Sequence, residues 1–270
     1  MRVPFSDPRL FQIFALGGLL TYAIGVLEFD QTPMNVGVLI AMAFLTQIGL
    51  GRFHDPTRRF DLLSPLITAL SLSLLLRTPD IAHYALAAAL AIGSKFLIRV
   101  DGKHVFNPAN FAIVLLIITT GDAWISPGQW GRETWLVFAI CSLGTLVLSR
   151  AKRLDVALTF FAAFAALAFL RAAYLGDPMA IPLQQLQSGA LLLFAFFMIT
   201  DPKTTPNYRP ARIAYAIAVA SLAFVLQYLA HMPEGIMYAL FFMAPLVPLL
   251  DRATSHLGVA RFEWSRPTAK

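Results

Sequence analysis

Two stretches of this chain concentrate the side chains able to do chemistry. The first reads GSKFLIRVDGKHVFNPAN from Gly93 to Asn110 and carries Lys95, Arg99, Lys103, His104, Asn107 and Asn110. The second reads TDPKTTPNYRPAR from Thr200 to Arg212 and carries Thr200, Asp201, Lys203, Thr204 and Arg209. Asn107 precedes Pro108, so it is pushed away from helix and placed to cap the run that follows. Asp201-Pro202 breaks the chain in the same way. Asn, Thr and backbone N–H groups at such breaks suit one edge of a planar ligand with donors and acceptors. Lys and Arg beside them suit an anionic or electron-rich group. The competing reading of the cations is that they only set membrane orientation, and for Arg58 and Arg153, read as exposed, it is preferred. Lys95 closes an apolar run, where snorkelling would also account for it. His104 reads either as a proton relay or ligand contact, or as a structural histidine. Glu234, before Gly235, reads either as a dipole partner for the last apolar run or as a functional acid.

Several chemistries have no residues to carry them. There is no P-loop, dinucleotide fingerprint, C-x-x-C or H-E-x-x-H. The single cysteine, Cys141, excludes an internal disulfide and an iron–sulfur cluster, and no His pair is placed for haem. No metal site is expected. Electrons, if moved, need an organic cofactor or a partner.

The elements positioning these residues are membrane helices. The chain has 270 residues, 58% hydrophobic and 13% charged, where soluble domains run at about 45–50% and 25%. Ten apolar runs fall near 10–29, 34–50, 62–76, 80–98, 105–120, 133–149, 156–175, 188–200, 211–230 and 235–250. They lack period-2 alternation, so they predict helices rather than barrel strands. The expected fold is an all-α integral membrane protein, 1–270 forming one membrane domain with a tail at 251–270. With the N-terminus inside, only Arg77, Arg132 and Arg171 of the 21 Lys and Arg fall outside. This predicts a plasma-membrane protein with both termini cytoplasmic. The net charge of +6 is thereby a membrane face, with the lipid bilayer as partner and no nucleic acid.

The ten runs divide into two related sets of five, about 10–120 and 133–250. Pro79 aligns with Pro202 and Pro108 with Pro233, in nearly one register. Five spans per repeat is odd, so the repeats must be inverted. The short runs at positions three and five of each half point to a site at the membrane midplane.

Gly102–Asn110 resembles a G-x-x-x-F-N-P-A motif. Ala195–Thr204 resembles G-A-F-F-x-x-T-D-P-V-T. Arg209–Ala214 resembles an arginine-containing helix entry, and Met232–Gly235 and Pro248–Asp251 resemble Y-P-[ED]-G and P-L-I-D. These motifs belong to the family that joins the B subunit of the sodium-pumping NADH:quinone oxidoreductase and the D subunit of the Rnf electron-transport complex. The likeness runs from about residue 60 to 254. The N-terminal stretch and Ser94-Lys95 look closer to short stand-alone relatives, including one found with enediyne biosynthesis. The resemblance implies a ten-helix, urea-transporter-like bundle and flavin chemistry. The family attaches FMN covalently to a Thr in an S-x-A-T-like motif on an outer loop. Here that loop, Gly121–Arg132, has no threonine, and Ser188-Gly189-Ala190 is followed by Leu191. No covalent FMN is expected, so an outer redox station is missing.

The expectation is therefore a transmembrane electron-transfer subunit that binds a non-covalent flavin (FMN or riboflavin) or a quinone. The twelve residues Lys95 to Asn110, Thr200 to Arg209, and Glu234 named above are its candidate contacts. A redox partner protein would sit on the outer side near Trp124 and Trp130, which read equally well as interface anchors. The alternatives are a transporter or channel for a small or flavin-like solute, and a structural assembly subunit.

Overall fold

The computed structural model describes residues 7–54, 61–125, 130 and 134–258. The chain is overwhelmingly helical, and every one of the ten apolar runs carries helix. The first half holds α1 (Pro8–Gly25), α2 (Pro33–His54), α3 (Leu63–Leu75), α4 (Ile81–Leu97) and α5 (Pro108–Thr120). The second holds α6 (Thr134–Ala151), α7 (Leu154–Leu175), α8 (Ala180–Leu186), α9 (Gly189–Leu193), α10 (Arg209–Phe224), α11 (Gly235–Met243) and α12 (Leu246–Ala253). Two π-helical turns, Phe194–Met198 and Val225–Leu229, continue α9 and α10.

Helix ends follow local chemistry. Asp7 and Asp80 cap α1 and α4 by accepting from the backbone N–H of Arg9 and Ala82. Asn107 caps α5 by accepting from Asn110 N, with Pro108 in the first helical position. Gly121 and Gly176 end α5 and α7 at φ 70° and 74°, in the left-handed region.

Three helices are long and apolar enough to cross a membrane: α2, α7 and Arg209–Leu229. Two bent pairs bring this to as many as five, Ala180–Leu186 with Gly189–Met198 at 51° and Gly235–Met243 with Leu246–Ala253 at 42°. The apolar helices α3, α4, α5 and Trp135–Ala151 are shorter. Large apolar side chains such as Phe14, Phe138 and Leu170 lie 65%, 74% and 67% exposed, as a lipid-facing surface requires. The chain is thus a multi-pass helical membrane protein.

Three features depart from simple runs. The run at 235–250 is broken, because Pro245 cannot donate the hydrogen bond that would carry α11 into α12. Ser188 is extended before α9 and separates it from the additional short helix α8. Two short antiparallel strand pairs also form, β1 (Leu76–Arg77) with β4 (Trp124–Ile125), and β2 (Arg99–Val100) with β3 (Lys103–His104).

Packing repeats between the halves. α2 packs on α4 and α4 on α5; correspondingly α7 packs on α10 and α10 on α11. α1 packs on α3, and α6 on α9 with its π turn. Across the halves α1 meets α6 and α5 meets α11.

The cation-bearing connections gather at one end. Contacts there join the start of α1 (Arg9) to Asp61, the end of α4 (Lys95) to Ser64, and Lys103 to Asp251 of α12. Arg153, before α7, donates to Thr205 Oγ1, and Arg212 of α10 pairs with Asp155. Arg153 is 5% exposed, which corrects its reading as an exposed topology signal: its guanidinium is a buried tie. Arg58 lies outside the described residues, as do Arg132 and the tail beyond 258.

Trp130 corrects another expectation. It is 1% exposed, set edge-on to Phe29, and does not present a docking surface; Trp124 is 42% exposed. A Cβ at Gly189 would lie 2.5 Å from the Trp130 ring. Gly189→Ala is expected to overpack this contact and cost about 1–3 kcal/mol. A lowered melting temperature in detergent, with no such loss when Gly189→Ala is added to Trp130→Ala, checks it.

Candidate functional site

The cation-rich end opens into a cleft between α1, α3, α4, α5, α6 and the π turn after α9. It encloses a cavity of about 80 Å³ within about 760 Å³ of space continuous with solvent. At roughly 10–15 Å³ per water, the enclosed part holds several waters or one polar edge of a ligand. Lys95, His104, Asn107, Thr200 and Asp201 line it, drawn from both sequence stretches. A smaller, leucine-rich pocket lies deeper, lined by Leu16, Leu74, Leu75 and Leu193. Ser71, Asn107 and Phe197 line both spaces, so the leucine-rich pocket lies directly beside the polar cleft.

Each polar group is held by backbone or a neighbour. Lys95 Nζ donates to Ser64 Oγ at 2.7 Å. Asn107 Oδ1 accepts from Asn110 N, and its Nδ2 donates to Met198 O at 3.1 Å, tying the α5 cap to the π turn. Thr200 Oγ donates to Phe196 O. Arg9 at the mouth makes ion pairs with Asp7 and Asp61 at 2.7 and 2.6 Å. Asp201 Oδ1 accepts from Lys203 N at 2.9 Å, and Oδ2 lies 3.5 Å from His104 Nε2.

Burial pushes the Asp201 carboxyl up, but the His104 ring, the Lys203 N–H and the Lys95 charge together hold it below 3.8. A carboxyl held low in the folded state contributes stability above its unfolded value and loses it as pH falls through the folded one. The melting temperature of the wild type is therefore expected to fall more steeply below pH 3.8 than that of Asp201→Asn. Parallel acid limbs in the two proteins would show that the carboxylate contributes nothing.

The remaining candidates lie elsewhere. Lys103 donates to Thr205 O and Asp251 Oδ2, both at 2.8 Å, and lines a second cleft with Lys203. Arg99 is exposed and donates to Gly102 O across the β2–β3 turn. Asn110 is 1% exposed, and its Nδ2 donates to Met237 O, joining the first turns of α5 and α11. Thr204 is buried, its backbone N–H bonded to Asp201 O. Arg209 is 73% exposed and 3.8 Å from Asp155. Glu234 precedes α11, its carbonyl accepting from Met237 N, and lines neither cleft.

Sequence reasoning missed Arg9, Ser64, Thr68 and Ser71. The last three recur at spacings of four and three on an apolar helix, one face of α3, and that polar stripe was visible in the sequence. Arg9 gave no such signal, because its partner Asp61 is 52 residues away.

Fold and cleft define a multi-pass helical membrane protein with a polar site entered from its cation-rich end. The sequence profile of the NQR2, RnfD, RnfE family matches residues 119–258, over half of the chain, and the protein belongs to that family. The match takes in Thr200–Arg212 and Met232–Asp251. Among curated relatives, the D subunit of the ion-translocating oxidoreductase complex of Citrobacter koseri is 29% identical over 134 residues, 50% of this chain and 36% of the relative. Its counterpart of the same name from Escherichia coli O1:K1 / APEC is 30% identical over 137 residues, 51% of this chain and 37% of the relative. That of Stutzerimonas stutzeri is 39% identical over 82 residues, 30% and 23%. The matched stretches thus span less than two fifths of these relatives.

Proposed function

We propose that this protein is a membrane electron-transfer subunit whose cleft takes a non-covalently bound flavin or a quinone. The observation that carries the reading is a polar cleft of Lys95, His104, Asn107, Thr200 and Asp201 with a leucine-lined pocket directly beside it. A planar ring with a polar edge and an apolar body fits that gradient. Its polar edge would meet the Lys95 ammonium and the His104 ring, and its apolar body would lie against Phe197 and the leucines. Such a group supplies reversible two-electron chemistry when bound. The chain's own residues orient the ring, balance its charge and exclude water from the inner end.

Ten spans in two inverted repeats form the frame of this reading. The matched packing of α2–α4–α5 and α7–α10–α11 supports two repeats. So does the meeting of α5 and α11 at their first turns, where each helix runs away from the contact. The gathered cations support a cytoplasmic cleft and cytoplasmic termini in a bacterial inner membrane. Electrons would leave to an acceptor in the membrane or a partner protein on the outer side. Family membership and relatives named as parts of an ion-translocating oxidoreductase complex support such a partner.

An absorbance spectrum of the detergent-purified protein, offered riboflavin and FMN, tests the reading. Flavin bands that leave with the supernatant after acid precipitation are expected. Bands retained in the pellet would establish covalent attachment instead. A protein that stays colourless and binds no short-chain quinone would overturn the electron-transfer reading.

A further inference from the structure

A second cleft lies at the same end of the bundle, with a cavity of about 200 Å³. It is walled by the β2–β3 turn, the segment after Pro202 and α12, with Lys103, Lys203, Asn207, Asp251 and Arg252 among its polar groups. One residue lines both this cleft and the first: His104. The two clefts therefore meet at this residue. Nε2 is buried and stands 3.5 Å from Asp201 Oδ2, near enough for an ion pair and too far for a well-formed hydrogen bond.

The other charged groups around His104 each have a protein partner. Lys103 is bonded to Asp251, and Arg252 to Asp101. Lys95 is bonded to Ser64, and Arg9 to Asp7 and Asp61. Asp201 is held at Oδ1 by Lys203 N, leaving Oδ2 facing the imidazole and the cleft. Imidazole is the one side chain whose ordinary titration spans physiological pH and whose two nitrogens can serve two compartments.

We infer that His104 and Asp201 form a proton path between the second cleft and the ligand cleft. This rests on the functional reading above. His104 takes a proton from water in the second cleft. The imidazolium Nε2–H passes it to Asp201 Oδ2, leaving a neutral ring and a carboxylic acid that is only transient, because the carboxyl is held low. Asp201 then returns to carboxylate by releasing the proton into the first cleft, where a reduced ring, when bound, would take it. The cycle moves one proton and no electrons; the electrons come from whichever reductant loads the ring.

Two measurements on the full-length protein test it. The first needs no ligand: His104→Cys in a Cys141→Ala background is treated with a charged, water-soluble maleimide. Labelling in the folded protein is expected, and riboflavin should not block it, whereas riboflavin should protect Asp201→Cys. The second follows proton uptake with a pH-indicator dye after dithionite reduces bound riboflavin. His104→Ala is expected to slow uptake at least about 100-fold, the scale of a lost general acid. Added imidazole should restore the rate, a rescue that a merely structural role would not show.

An unlabelled His104→Cys, or uptake in His104→Ala at the wild-type rate, overturns the path alone. A wild type that binds neither riboflavin nor a quinone overturns the functional reading and the path with it. His104→Gln, which keeps side-chain volume but cannot titrate, should behave as His104→Ala without imidazole rescue. A fast His104→Gln would likewise overturn the path.

Discussion

Replacing Asp251 by alanine is expected to cost about 3–5 kcal/mol, the scale seen when one partner of a buried ion pair is removed. Asp251 holds three parts of the chain together. Its Oδ2 accepts from Lys103 Nζ at 2.8 Å, and its Oδ1 from Asn207 N at 2.7 Å. The paired side chains are only 12% and 15% exposed. Burial already pulls the Lys103 ammonium below its ordinary value, and the bond to Asp251 opposes that pull. Without the carboxylate, the ammonium keeps Thr205 O alone and stays desolvated. The double variant Lys103→Met/Asp251→Ala removes both charges and should recover the part of the loss due to the stranded ammonium, while the Asn207 N–H stays without its acceptor. A double-mutant cycle of melting temperatures in detergent reads the coupling directly. A loss in Asp251→Ala no larger than about 1 kcal/mol, the level of an exposed pair, would sink the argument.

The helices were legible in the sequence because their signal is local. Each run is continuously apolar, and several have their start or stop written nearby: Asp80 before Ile81, Asn107-Pro108, Gly121, Gly176. The Asn107 cap was readable because a residue before proline leaves the α region and its side chain then meets the next turn's N–H groups. The bend after Ala244 was half-visible in Pro245. The π turns were not, since nothing in FAFFM or VLQYL distinguishes five-residue closure from ordinary helix. The buried roles of Arg153 and Trp130 also stayed hidden. Each depends on a partner remote in sequence, Thr205 at 52 positions and Gly189 at 59, and composition describes neither.

The site was legible as two stretches rather than as twelve residues. Five candidates from those stretches converge on the cleft because α4, α5 and the π turn end together there. Lys103, Arg209 and Asn110 share the same stretches yet serve ties between elements, because neighbours along a hairpin or first turn face different ways. A polar residue type at a break predicts that something polar is held, not whether the holder is ligand or chain. What could have separated them was periodicity on the facing helix: Ser64, Thr68 and Ser71 mark the face of α3 that must meet a polar space.

Replacing Lys95 by methionine is expected to weaken riboflavin binding about 10- to 150-fold, the equivalent of the roughly 1.5–3 kcal/mol that a hydrogen bond to a charged group contributes. Methionine keeps most of the stem's volume and apolar contact, so the change isolates the ammonium. In the cleft Lys95 Nζ is bonded to a neutral hydroxyl, Ser64 Oγ, at 2.7 Å rather than to a carboxylate. Arg9, by contrast, is committed to two carboxylates at the mouth. Among the described cations lining this cleft, Lys95 is therefore the one bonded to a neutral partner, and it can exchange that hydroxyl for an electron-rich ring edge. Ser64→Ala removes the competing acceptor and should leave affinity equal to the wild type or tighter. Arg99→Ala, on the exposed turn, should leave it unchanged. Burying an ammonium is costly to the fold. The melting temperature of Lys95→Met should therefore stay level or rise, so lost affinity cannot be ascribed to unfolding. Fluorescence titration with riboflavin measures all three variants. Equal affinity in Lys95→Met and the wild type would remove Lys95 from the ligand's shell and leave the cleft without its principal charge contact.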